Sequence, residues 1–236
     1  MPKWSSAGGR ATRSDEPREA NVTDATGPGP LIVAASPRPG GNSDRAADIL
    51  AEAASVAASG AGGAHPEVVR LRDYGVLPCL GCGHCARHPG ICVRDGRDRA
   101  PGQAPDRAME LFVRLMDAPW VAVAAPIFFY HLPAQLKAWI DRSQRHYLMR
   151  QRGDPAVSGL AERPAYACLV AGRPRGERLF DGALLTLRYF LDVYNLTLAD
   201  TVTLRGLDAP GDLEADPGAV RALEDLGRAA AMGRRG

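Results

Sequence analysis

Five short apolar runs constrain this chain more than anything else in it. They are Leu31–Ala35 (LIVAA), Glu67–Leu71 (EVVRL), Trp120–Ala125 (WVAVAA), Ala165–Val170 (AYACLV) and Leu196–Leu204 (LTLADTVTL). Short, mostly continuous apolar runs of this kind are strands buried by neighbours on both faces. Between them, apolar residues recur at helical spacing: Ala46, Ile49, Leu50, Ala53 and Val56 in one stretch, Met109, Leu111, Phe112, Leu115 and Met116 in another. The spacing predicts helices from Asn42 to near Gly60 and over Ala108–Met116, Gln135–Ser143, Leu179–Tyr194 and 215–232. Asn42 and Ser43 read as N-caps of the first. Residues 144–163 have no clear period and read as a long loop. Strands alternating with helices imply right-handed crossovers and a parallel sheet covered on both faces.

Five such strands predict a flavodoxin-like, doubly wound α/β fold with strand order 2-1-3-4-5. Residues 30–236 then make one domain, and the polar, unpatterned residues 1–29 a disordered tail. A net charge of +2 gives no strong field for nucleic acid. No apolar run is long enough for a bilayer, and the first thirty residues lack the apolar core of a secretory signal. The expectation is a cytoplasmic, reducing setting, with no nucleic acid and no membrane as partners.

In such a fold ligands bind beyond the carboxyl ends of the strands, beside the first one. The loops at 36–43, 126–133 and 171–175 converge there. Ser36-Pro37-Arg38-Pro39-Gly40-Gly41-Asn42-Ser43 runs from strand to helix, and a helix N-terminus suits a phosphate. Ser36, Arg38, Asn42 and Ser43 add donors. The chain has no G-x-x-x-x-G-K-[ST], and no G-x-G-x-x-G follows the first strand, so neither a nucleoside triphosphate nor a Rossmann dinucleotide is indicated. One helix terminus with one arginine fits a single phosphomonoester such as that of FMN. The bland alternative is an ordinary turn with a cap.

Four of the five cysteines lie in one short stretch, Cys79, Cys82, Cys85 and Cys92, spaced C-x2-C-x2-C-x6-C. Closely repeated x2 spacing is the compact ferredoxin-like pattern of a [4Fe–4S] cluster. Zinc sites more often split their ligands into pairs a dozen or more residues apart. Zinc, or thiols without metal, stay open as alternatives. Cys168, inside an apolar strand, reads as a buried thiol without a role. His131 reads as structural in preference to acid–base, and Arg173 and Arg175 as candidates for an anionic substrate or a cofactor phosphate.

Taken together, Ser36-Pro-Arg-x-x-Gly-Asn42-Ser43, the cysteine stretch, Pro126-Ile127-Phe128-Phe129 and Gln135-Leu-Lys137-Ala-Trp-Ile-Asp141-Arg142 resemble the NADPH-dependent FMN reductase superfamily. The four-cysteine loop is similar to its iron–sulfur flavoprotein branch. The resemblance implies FMN held at its phosphate by Ser36, Arg38, Asn42 and Ser43. It places Pro126, Ile127, Phe128 and Phe129 along the flavin and Gly172 at the ring's other edge. Cys79, Cys82, Cys85 and Cys92 would ligate the cluster, and Lys137 with Asp141-Arg142 would support the helix and a subunit contact in a homodimer or homotetramer. No residue is singled out as catalytic.

The activity implied is a flavin- and [4Fe–4S]-dependent oxidoreductase of a small organic substrate. NAD(P)H is a candidate donor and ferredoxin a candidate partner. An aminodeoxychorismate-type dehydrogenation is one chemistry of the family. The rivals are an NAD(P)H-dependent FMN/quinone reductase without a cluster and a non-enzymatic electron carrier or redox sensor. The chain departs from the family in that Phe128 stands where Tyr is usual, Tyr130 where many members have Gly, and, after Cys92, where many members show two acidic residues, Asp95 is followed by Gly96.

Overall fold

A computed structural model describes residues 28–95 and 105–233; the tail expected over 1–29 lies outside them except for its last two residues. Five parallel strands, β1 (Leu31–Ala34), β2 (Glu67–Arg70), β3 (Val121–Pro126), β4 (Arg163–Ala171) and β5 (Leu196–Arg205), form one sheet in the order β2-β1-β3-β4-β5. The predicted topology is therefore present. The register sets Leu31 opposite Val121 and Val121 opposite Ala165. Alternate residues then face opposite sides of the sheet.

Leu31, Val33, Val121 and Val123 face α3 (Ala108–Asp117), α4 (Ala134–Arg142) and α7 (Asp181–Asp192) in one core layer. Ile32, Ala34, Ala122 and Ala124 face α1 (Asn42–Ala61) and α8 (Pro217–Ala231) in the other. The second layer is thin because small residues line it. Gly227 of α8 sits where a Cβ would come within 2.5 Å of the Leu50 carbonyl oxygen of α1, so the two helices pack backbone to backbone. No helix among the described residues is long and apolar enough to cross a membrane.

The stretch 144–163 departs from expectation. It holds α5 (Gln144–Gln151) and the short α6 (Pro155–Ser158), the latter capped by the Asp154 carboxylate accepting from the Ala156 N–H. The apolar period failed to show α5 because the residues it buries are Arg145 and His146. A four-residue α2 (His84–Arg87) also lies inside the cysteine stretch.

His146 shares a 2.8 Å hydrogen bond between Nδ1 and the Tyr194 hydroxyl and meets the Phe112 ring edge-on at 4.8 Å. Burial, with the Arg145 cation beside it, holds its imidazole down at about 4. The native ring stays neutral while the unfolded ring takes a proton below about 6.5. This group therefore costs no stability above about pH 6.5 and lowers it progressively as pH falls toward 4, by about 3 kcal/mol over the window. Urea unfolding of the wild type and His146→Gln at about pH 7 and about pH 4.5 measures the effect. The wild type is expected to decline more steeply; equal slopes would rule the histidine out as the cause.

Candidate functional site

The loop after β1 is held tightly before any ligand is considered. Ser36 Oγ donates to the Arg38 carbonyl at 2.8 Å and accepts from the Arg38 N–H at 3.2 Å. The Gly40 N–H donates to the buried Asp44 carboxylate at 3.0 Å. Arg72 pairs with Asp44 at 2.9 Å and donates to the Ser36 carbonyl at 3.3 Å. This brace was not foreseen, because its cation comes from just after β2, far away in sequence.

The N-cap of α1 also differs from expectation. It is Gly41, in an extended conformation, with no side-chain cap. Asn42 turns instead to the loop after β5, donating to the Ala209 carbonyl at 2.9 Å and accepting from the Leu213 N–H at 3.3 Å. A long helix whose first turn has no side-chain cap keeps N–H groups available to an anion.

That turn opens onto a cavity of about 480 Å³. Ser36, Arg38, Asn42 and Ser43 line one end. Pro126, Ile127, Phe128 and Gly172 line the rest, so eight of the nine predicted flavin-site residues meet here. Arg173 and, from the loop after β5, Leu207 and Asp208 complete the wall. A Cβ on Gly172 would lie 2.4 Å from Asp208 Oδ1, so a larger residue there would have to displace the Asp208 side chain. No motif marked the β5 loop; its two bonds to Asn42 could have been found only from the fold.

Phe129 is the exception. It lies on a two-residue hairpin turn closed by Phe128 and His131, whose N–H and carbonyl groups bond reciprocally at 2.9 Å. Phe129 and Tyr130 both take left-handed backbone, at φ 48° and 62°. Bulky residues there store strain, which proteins tend to keep at functional sites. The Phe129 side chain is 103 % exposed and borders a separate pocket of about 240 Å³ with Tyr130 and Leu179. The Arg173 guanidinium lies 5.8 Å from the Tyr130 ring centroid, between the two pockets. His131 is tied to Thr186 at 3.2 Å.

The cysteine loop forms a second site. Cys79, Cys82, Cys85 and Cys92 all line one cavity of about 530 Å³, with Gln144 and Leu148 of α5 as its floor. Cys79 and Cys82 are exposed, Cys85 and Cys92 half-buried. Gly81 and Gly83 take positive φ, 63° and 66°, which lets the chain reverse between successive cysteines. The Gly81 N–H points at Cys79 Sγ, 3.4 Å away. Burial pushes the Cys85 thiol up, and charge on Cys79, Cys92 and Cys82 adds to this. Among the described residues no three His, Cys, Asp or Glu side chains converge closely enough for a single metal ion. The His84 and His88 rings lie 4.3 Å apart, tilted by 32°. Cys168 is fully buried, its thiol pushed up to about 12.

Beneath this loop Arg142 departs from the subunit-contact role. Its side chain is 0 % exposed and pairs at 2.7 Å with both Asp106 and Asp95. Lys137 and Asp141 pair with each other at 2.6 Å along α4.

The profile of the NADPH-dependent FMN reductase family matches residues 30–197. An iron–sulfur flavoprotein of Methanosarcina thermophila is 30 % identical over 130 residues, covering 53 % of this chain and 60 % of its own. An FMN-dependent NADH:quinone oxidoreductase of Thiobacillus denitrificans is 30 % identical over 118 residues, covering 48 % of this chain and 58 % of its own. The chain thus spans about 60 % of the length of these relatives. In fold it is similar to the FMN-dependent NADH-azoreductase of Bacillus anthracis solved with FMN, at TM-score 0.59 and 15 % identity over 86 % of this chain and 99 % of that one. With its sheet order, its loop-lined cavity and a profile match over most of its length, the chain belongs to the NADPH-dependent FMN reductase family.

Proposed function

We propose that this chain is an oxidoreductase of a small organic substrate that uses both FMN and a [4Fe–4S] cluster. The observation that carries this reading is the pairing of two separate cavities. One is lined by an uncapped helix start and Arg38, the other by four cysteines. Four thiols from one short loop that line one cavity, at C-x2-C-x2-C-x6-C spacing, support a cluster in which each thiolate takes its own iron over one zinc ion, whose ligands more often come in pairs a dozen or more residues apart. When bound, FMN exchanges electrons in pairs or singly and the cluster exchanges them one at a time.

The protein's part is to bind and orient. Ser36, Arg38, Ser43 and the first turn of α1 would take the phosphate. Asn42 would act indirectly, holding the β5 loop over the cavity through Ala209 and Leu213. The backbone of Pro126, Ile127 and Phe128 would wall the ring. Phe128 brings no hydroxyl, so any proton delivered there must come from another group. Tyr130 narrows the entrance, and Arg173 offers positive charge beside it, which supports a carboxylated substrate of the aminodeoxychorismate type. Exposed Tyr147, Leu185 and Tyr189 share a groove along α4, α5 and α7, which supports a homodimer or homotetramer.

Arg38→Ala is expected to weaken FMN binding by about 1.5–3 kcal/mol, the size of a charge-assisted hydrogen bond. Fluorescence titration of the flavin-free protein with FMN tests this. An unchanged affinity would separate Arg38 from the phosphate. A wild type that binds FMN but neither iron nor sulfide would favour a cluster-free quinone reductase, the activity in the name of the Thiobacillus relative.

A further inference from the structure

Arg142 and Arg145 lie side by side beneath the cysteine loop, both almost fully buried. Each donates to Asp95: Arg142 at 2.7 Å, Arg145 through two nitrogens at 2.5 and 2.6 Å. Asp95 in turn accepts the Cys92 N–H at 3.2 Å. Arg145 also reaches the Gly90 carbonyl at 3.4 Å, and Arg142 the Leu77 carbonyl at 3.1 Å. Asp106 closes the set, pairing with Arg142 and accepting the Leu77 N–H at 2.8 Å. The two arginines thus grip the chain just before Cys79 and on both sides of Cys92.

A buried charge network is weak evidence for stability, because apolar residues of the same size often serve as well. Here Nε of both arginines is buried with no partner among the described residues, an added desolvation cost. Such a costly arrangement calls for a role in placement. Cys92 is the outlying thiol, seven residues beyond Cys85, and sequence spacing alone does not bring it to the other three.

We propose that Asp95, Arg142 and Arg145 are positioning residues that latch Cys92 into place as the fourth thiolate of the cysteine site. This rests on the four-thiol reading above, but the latch can be tested without it. In metal-free protein, alkylation by iodoacetamide is followed at each cysteine by peptide mass spectrometry. Asp95→Asn keeps the shape and removes the charge. It is expected to speed alkylation of Cys92 roughly tenfold or more, the effect of losing a charge-assisted bond, and to leave Cys79 in the same molecule unchanged. Arg145→Lys, which keeps the charge and loses the fork, is expected to give a smaller effect of the same sign. It also serves if Asp95→Asn fails to fold by circular dichroism. Cys92 alkylation equal to wild type in a folded variant overturns the latch. After reconstitution with iron and sulfide, faster iron loss to a ferrous chelator in the variants extends the latch to the loaded site. A wild type that takes up no iron or sulfide rejects the cluster and leaves the latch to be decided by the alkylation rates.

Discussion

Cys82→Ala is expected to lose most of its iron and keep its FMN. Cys82 stands in the middle of the tight run, between two glycines in left-handed conformation, on the open side of the cysteine cavity. No other cysteine can replace it, since Cys168 is buried inside β4. In the proposed cluster, removing one thiolate would open a corner to solvent and oxygen, and the remaining sulfurs would then oxidise. The flavin cavity is built from other loops and shares no lining residue with the cysteine cavity. Iron and acid-labile sulfide should fall from about four each per chain to well below one, with flavin content steady. Loss of flavin along with the iron would show instead that the two sites fold as one unit.

Asp106→Ala is expected to produce the largest fall in stability. Asp106 and Arg142 pair at 2.7 Å with both side chains 0 % exposed. The carboxylate also accepts the Leu77 and Ala108 N–H groups. Removing it takes one of two carboxylates from the buried Arg142 guanidinium, which keeps Asp95, and leaves the two N–H groups without this acceptor, at a cost of about 3–5 kcal/mol. For a domain of this size that is a fall in Tm of roughly 10–15 °C. Replacing both partners, Asp106→Leu with Arg142→Met, should recover much of the loss, because apolar substitutes of similar volume tolerate burial. A single variant within about 1 kcal/mol of wild type in urea unfolding would contradict this account of the pair.

The fold was legible because its strands are apolar and its crossovers are amphipathic. LIVAA and WVAVAA can be little else than strands buried on both faces, and each lies within a residue or two of its predicted bounds. What escaped notice has polar causes. α5 buries an arginine and a histidine, so hydrophobic periodicity could not show it. Asn42 has the right residue type for a cap, yet a tertiary contact with the 209–213 loop claims its side chain. Arg142, assigned by resemblance to the helix and a subunit contact, is buried instead; the carboxylates that let it be buried lie 36 and 47 residues away.

The site divides in the same way. Loop positions following a strand could be assigned to the cavity from topology alone, which is why residues 36–43, 126–128 and 172 meet. Phe129 could not, because the hairpin that turns its side chain outward depends on two left-handed residues that propensity disfavours. The β5 loop and the Arg72 brace carry no local signal. They exist through long-range pairing with the phosphate loop.

Cofactor analysis of anaerobically purified or reconstituted protein tests the central claim most directly. FMN and not FAD is expected, close to one per chain. About four iron and about four acid-labile sulfide are also expected, with a broad visible shoulder beside the flavin bands. One zinc without sulfide, or FAD in place of FMN, would contradict the claim.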